Sequence, residues 1–291
     1  MRKVLSWLIA VRPKTLAVAA APVGVGIAMA FGDGVGHVPS AVVAFVGGLL
    51  IQIGTNLSND YFDLKRGADR PGGREARIGG VGTPSLPEAK WAFILAFALA
   101  GLCCAYLVAR GGWPILVIGL LSILSGLLYT AGPWPLAYLG LGDLFVLVFF
   151  GPVAVAGTYY VQSFEWNGAV LLAGLAPGFL STAILAVNNI RDAETDGLVN
   201  KRTLAVRMGR PFVRQEYLLC LLAAMAVPVG IFLLTGVKPR ILLPSALIFF
   251  FIPTVLDVMA SSERRVLDRA LSRTAGLLMV YSILFSVLWA I

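Results

Sequence analysis

Trp91-Ala92-Phe93-Ile94-Leu95-Ala96-Phe97-Ala98-Leu99-Ala100-Gly101-Leu102-Cys103-Cys104-Ala105-Tyr106-Leu107-Val108-Ala109 is a run of nineteen residues without a charge. An α-helix rises ~1.5 Å per residue and the hydrocarbon core of a bilayer is ~30 Å thick, so a run of this length suits one membrane crossing. Comparable runs recur at roughly 15–32, 38–57, 112–130, 139–160, 168–188, 215–236, 241–260 and 274–291. The expectation is an all-α integral membrane protein of about nine transmembrane helices. Composition agrees: 58% of the 291 residues are hydrophobic, 13% are charged and the mean hydropathy is +0.86. Soluble domains average nearer ~45–50% and ~25%, and so few charges would not cover a soluble surface.

Charge placement predicts orientation. With the N-terminus in the cytoplasm, alternate loops on that side hold all of the 23 Lys and Arg except Arg110, Lys238 and Arg240. Such a skew predicts cytoplasmic N-terminus, external C-terminus and residence in the cell (inner) membrane. It also accounts for the net charge of +8 without a nucleic-acid partner. Residues 2–12 read as an interfacial helix with Trp7 at headgroup level. Cys103, Cys104 and Cys220 lie inside apolar runs and read as core residues, and His37 is the sole histidine, so chemistry falls to carboxylates, amides, Tyr, Lys and Arg.

Two connections, 58–90 and 189–214, are longer and more charged than the rest, and both follow an even-numbered span. The first opens with Asn59-Asp60-Tyr61-Phe62-Asp63, the second with Asn189-Ile190-Arg191-Asp192-Ala193-Glu194-Thr195-Asp196, and their Asn residues lie 130 positions apart. This spacing predicts one transmembrane domain over 1–291, with repeat one about 12–138, repeat two about 139–260, a ninth helix about 274–291, and the site between the halves.

If the second span stays helical through the first cluster, Asn56, Asp60 and Asp63 share a face at i, i+4 and i+7. Asn189, Asp192 and Asp196 do so at i, i+3 and i+7, and Asp69 is a further candidate ligand. Oxygen ligands without His or Cys favour a hard cation such as Mg²⁺, Mn²⁺ or Ca²⁺. Lys65, Arg66, Arg70, Arg74 and Arg77 follow the first cluster and Lys201, Arg202 and Arg207 the second, as an anionic phosphate substrate would need. Like charges 4 Å apart repel by ~4 kcal/mol at an effective dielectric near 20, so a diphosphate beside these aspartates requires divalent cations. The alternative, solvated loop charges that retain the cytoplasmic face, is less suited to two matched clusters.

These motifs resemble the UbiA superfamily of membrane prenyltransferases: Asn-Asp-x-x-Asp at 59–63 and Asp-x-x-x-Asp at Asp192 and Asp196. Within it the chain is similar to the branch that prenylates 1,4-dihydroxy-2-naphthoate in menaquinone synthesis. The likeness rests on Arg12-Pro13-Lys14-Thr15-Leu16, Asn56 to Asp63 with Gly67 and Asp69, Tyr129-Thr130 through Gly140-Leu141-Gly142-Asp143, and Asn188 to Asp192 with Lys201 to Arg207. The resemblance implies a central cavity beneath cytoplasmic caps, open laterally to lipid. It implies that Asp60, Asp63, Asp192 and Asp196 bind two Mg²⁺ with help from Asn56, Asn59 and Asn189, that Lys201, Arg202, Arg207 and Arg66 serve the polyprenyl diphosphate, and that Tyr129 lies near the allylic carbon, where its ring shields a cation. Arg12 and Lys14 are candidates to orient an aromatic acceptor's carboxylate, though membrane anchoring explains them equally. Residues 131–138 lack the basic residue often found there and carry Trp134 instead. Asp143 and Asp257 have no assigned role. Other acceptors, such as 4-hydroxybenzoate, homogentisate or haem, remain open, as does an ion-coupled transporter, which would place carboxylates near mid-span.

Overall fold

The computed structural model describes residues 2–67, 77–80, 82–236 and 238–291, and every regular element among them is helical. Helix α1 covers Arg2–Val11, α2 Pro13–Gly32, α3 Val38–Lys65, α4 Leu86–Gly111 and α5 Trp113–Leu128. The next crossing is α6, Gly142–Val148, a wide turn at Phe149–Val153, and α7, Ala154–Ser163. Then come α8 (Gly168–Leu198), the short α9 (Leu204–Arg207), α10 (Arg210–Thr235), a tight turn Pro239–Ala246 leading into α11 (Leu247–Ala260), and α12 (Arg264–Ala290). Among the described residues eight crossings are long and apolar enough to span a bilayer; α5, at 16 residues, is shorter. The protein is an integral membrane protein.

Two sequence expectations need correction. The last helix begins at Arg264, not near 274, because its first turns carry Arg264, Arg265, Asp268 and Arg269 and so fail any apolar-run criterion while remaining good helix formers. The crossing expected at 139–160 is broken, since Gly151 leaves helical geometry (φ −121°, ψ −115°) before Pro152, whose missing N–H cannot continue the ladder. Trp7 of α1 packs against the cluster that includes Leu57, Leu64 and Phe93, leaving Val4, Leu5, Leu8 and Ile9 as the exposed apolar side of α1.

Helix α8 is the central pillar. Its Ala173, Ala176, Leu180, Ala183, Ala186 and Val187 are fully buried or nearly so. Where lipid offers no hydrophobic drive for association, small residues let helices approach closely. Gly174 and Gly178 do this at the Gly151–Pro152 break, for a Cβ on Gly174 would stand 2.7 Å from the Pro152 Cα and one on Gly178 3.0 Å from the Gly151 Cα. At the end of the bundle away from the Asp clusters, α12 is tied back to α2. Asp33 accepts hydrogen bonds from Trp289 Nε1 (2.9 Å) and the Tyr159 hydroxyl (3.0 Å), while Lys238 lies 4.6 Å over the Trp289 ring.

Candidate functional site

Both clustered helices outrun their apolar cores, α3 to Lys65 and α8 to Leu198, so each Asn-Asp cluster lies on continuous helix with its acidic residues on one face. This is the geometry the spacing anticipated. A cavity of about 1020 Å³ receives Asp63 from α3 and Asp192 and Asp196 from α8, with Arg12, Lys201 and Tyr129 beside them. The two clusters, far apart in sequence, therefore share one site.

The first cluster is built around an elbow. Arg12 precedes Pro13, and a residue before proline is kept out of the right-handed helical region, so α1 must end there. Arg12 adopts the left-handed conformation instead (φ 56°, ψ 73°), which costs a non-glycine residue about 1–3 kcal/mol. Asn56 holds it in place: its amide nitrogen donates to the Val11 carbonyl (2.9 Å) and to Thr15 Oγ1 (2.7 Å), and its Oδ1 accepts from Gln52 (3.0 Å). Thr15 Oγ1 in turn donates to the Arg12 carbonyl at 2.9 Å. The elbow delivers the Arg12 guanidinium onto Asp60 Oδ1, which also accepts from Arg77 at 3.5 Å. Asp60 itself is only 2% exposed, does not line the cavity, and among the described residues its Oδ2 is buried without a protein partner. Asn59 accepts from Thr130 (2.7 Å) and Asp63 from the Tyr138 hydroxyl (3.1 Å), which pins the segment after α5 to α3. Burial, with the Asp63 charge adjacent, pushes the Tyr138 hydroxyl's pKa up, so it remains a donor.

The second cluster takes cations from its own helix end and from α12. Arg191 grips Asp192 with two hydrogen bonds, 2.8 and 2.6 Å, and also reaches Asn188 (2.7 Å) and Asp268 (2.8 Å). Lys201 Nζ stands 3.6 Å from Asp196, and Arg264 stands 3.7 Å from Asp192. Asn189 turns from the aspartates and donates to Asp143 at 3.4 Å.

Several expected binders sit elsewhere. Arg66 donates to the Gly132 carbonyl and lies over the Tyr138 ring, reaching the loop that lacks its own basic residue. Arg207 donates to the Arg202 carbonyl at 3.1 Å, and neither residue lines the cavity. Asp69, Arg70, Arg74 and the side chain of Lys14 lie outside the described residues. Asp257 pairs with Arg273 at 3.3 Å, away from the site. Sequence reasoning gave no site role to Asp143, Thr130 or Arg191, all of which line the cavity. All three lie within the stretches that carry the family resemblance, and that membership was the signal available.

Among the described residues no three carboxylates, histidines or cysteines converge into a preformed metal cage. Mg²⁺ does not require one, since it usually takes one or two carboxylates and completes its shell with water and phosphate. The donors present suit it: all are oxygens, and the orphaned Asp60 Oδ2 is a buried acceptor in want of a cation.

Fold and site define a membrane-embedded protein with charged groups at the mouth of a largely apolar cavity. Residues 19–289 match the UbiA prenyltransferase family. The chain is 38% identical over 240 residues to 1,4-dihydroxy-2-naphthoate octaprenyltransferase of Escherichia coli (strain K12), covering 78% of this chain and 76% of that one. It is 37% identical over 214 residues to the Mycobacterium tuberculosis protein of the same name, covering 72% of each. In fold it is similar to a UbiA homolog from Archaeoglobus fulgidus bound to GPP and Mg²⁺, with TM-score 0.66 at 17% identity over 97% of this chain and 99% of that one. The chain belongs to the UbiA prenyltransferase family, and it is an enzyme of the transferase class.

Proposed function

We propose that the enzyme transfers a polyprenyl group from its diphosphate to 1,4-dihydroxy-2-naphthoate with loss of CO₂, giving demethylmenaquinol. The observation that carries this reading is the meeting of both Asp clusters at the mouth of one apolar cavity, in a chain 38% identical to a naphthoate octaprenyltransferase. Asp60 and Asp63 on one side, with Asp192 and Asp196 on the other, would hold two Mg²⁺, and Asp69 is positioned by sequence to join the first pair. When bound, the metal neutralises the diphosphate and stabilises the charge that develops on it as it leaves.

The chain's own residues do the rest. Lys201, Arg12 and Arg77 surround the phosphate end as cations, and Arg191 holds Asp192 in its ligating orientation. Asn56 acts by fixing the elbow that carries Arg12, so it is a positioning residue. Tyr129 faces the cavity where the allylic C–O bond breaks, and its ring stabilises the positive charge left on carbon. The electron-rich ring carbon bearing the carboxylate then bonds to that carbon, and expulsion of CO₂ restores aromaticity. Arg12, at the same mouth, orients the acceptor's carboxylate. The N-terminus and both clusters face the cytoplasm of the cell membrane, the C-terminus lies outside, and the halves 12–138 and 139–260 each contribute one cluster. This reading is supported by the lysine and arginine distribution.

The test supplies carboxyl-labelled dihydroxynaphthoate and, in parallel, labelled 4-hydroxybenzoate with one prenyl diphosphate. Label released as CO₂, matched by diphosphate, is the expected result. Turnover of the benzoate alone, or a naphthoate product that keeps its label, overturns the acceptor assignment.

A further inference from the structure

Helix α12 follows both Asp clusters in the chain and carries neither, yet it reaches the site. Its Leu271 lines the cavity that also receives Asp192. One turn earlier Asp268 accepts a hydrogen bond from Arg191 Nη1 at 2.8 Å, and a further turn earlier Arg264 Nη2 stands 3.7 Å from Asp192 Oδ1. Residues 264, 268 and 271 fall at i, i+4 and i+7, so one face of α12 is turned to the second cluster.

Arg191 is thereby held at three corners. Its Nε and Nη2 donate to the two oxygens of Asp192, Nη2 also to Asn188 Oδ1, and Nη1 to Asp268. A guanidinium is a rigid planar fork, so fixing Nη1 from the far side fixes the angle at which the other nitrogens meet Asp192. Asn188 and Asp192 belong to α8 itself; Asp268 is the partner that ties the fork to a second helix.

Charge gives the same bond a second effect. Two guanidiniums stand against Asp192, and both compete with a metal ion for its oxygens. Lys201 and Asp196 already offset one another, so Asp268 is the carboxylate that balances the second arginine. Two arginines with two aspartates are neutral, whereas two with one form a positive group that repels a divalent cation. The Asp268 side chain is 51% exposed, so solvent weakens this effect without abolishing it.

We infer that Asp268 is a positioning residue for the second metal site, acting through Arg191, and that Arg264 opposes it. Through this pair α12 sets how readily Asp192 takes a divalent cation. The inference rests on the metal-dependent prenyl-transfer reading and adds to it a helix outside both Asp motifs. The first cluster is arranged otherwise, since the cations on Asp60 come from the turn before α2 and the loop after α3.

The experiment titrates Mn²⁺ into purified enzyme without substrate, following the free ion by electron paramagnetic resonance, and measures in parallel the Mg²⁺ dependence of prenyl transfer. Asp268→Asn should weaken Mn²⁺ binding by about fivefold, less than the ~10–100-fold usual for loss of a group that orients a metal ligand, because Asp268 is half exposed. Asp268→Glu keeps the charge and should return binding to within about twofold of wild type. Arg264→Gln removes a competing cation and should tighten binding by about twofold. The Mg²⁺ concentration for half-maximal transfer should move in the same directions. The opposite signs are the signature, because damage to the fold weakens binding in both variants. Unchanged binding in Asp268→Asn, or weakening in both Asp268→Asn and Arg264→Gln, overturns the inference. Wild-type enzyme that binds no Mn²⁺ and needs no Mg²⁺ would instead defeat the metal-dependent reading itself.

Discussion

The two Asp clusters look alike in sequence and are built differently. The first recruits its cations from afar, Arg12 from the turn before α2 and Arg77 from the loop beyond α3, and it buries Asp60 beneath them. The second takes Arg191 from beside Asp192 and Lys201 from five residues after Asp196, adds Arg264 of α12 at 3.7 Å from Asp192, and leaves its Asp192 side chain 18% exposed. Matching motifs therefore need not share a supporting structure. The first cluster exists only when α1, α2 and the loop after α3 are assembled around it, whereas much of the second is already present in one helix end.

Activity should be most sensitive where the clusters agree. Replacing Asp63, Asp192 or Asp196 by Ala, or adding a chelator, should each lower prenyl transfer by about 10³-fold, and Mg²⁺ should restore only the chelated wild type. If two of the three variants keep near wild-type rates, the shared site is wrong. Stability should then separate the clusters. Asp60→Asn leaves Arg12 and Arg77 without their buried counter-charge and should cost roughly 3 kcal/mol. Asp192→Asn, at a carboxylate that is 18% exposed where Asp60 is 2%, should cost less, about 2 kcal/mol. Denaturation in detergent measures both, and equal costs would erase the distinction.

A smaller contrast concerns the amides. Asn56→Ala should reduce turnover by about 10–100-fold, as loss of a group that orients a ligand shell does. Asn188→Ala removes one bond to Arg191 and should cost under about tenfold. Raised KM for the acceptor in Asn56→Ala, with Mg²⁺ dependence unchanged, would point to the Arg12 elbow as the cause. Last, external thiol labelling of intact cells should reach a cysteine at Glu165 but not one at the exposed Leu198. Labelling at Leu198 would invert the orientation while leaving the shared cavity intact.

Much of this was legible in the chain. Apolar runs located the apolar core of each crossing though not its charged ends, because lipid admits few alternatives to a helix. The i, i+4, i+7 spacing placed Asn56, Asp60 and Asp63 on one face, since helix geometry is local. What escaped was non-local or hidden by charge. The basic start of α12 disguised a helix, and the break at Gly151 needed the packing of Gly174 and Gly178 to make sense of it. Asn56 read as a ligand, yet its amide is committed to the backbone 45 residues earlier. No periodicity encodes that pairing. Arg66, Arg202 and Arg207 shared the composition of phosphate binders, but composition does not say which way an arginine turns.

The tie between Asp33 and Trp289 has a consequence for connectivity. It joins the first long helix to the last, so the bundle is a closed circuit in space although the polypeptide is a line. A circuit cut once is still connected. The peptide link between residues 198 and 204 should therefore be dispensable for holding the parts together, and two co-expressed fragments meeting there should assemble. Because α2 and α12 also share the buried core, removal of the Trp289 side chain should loosen that joint and leave the circuit closed.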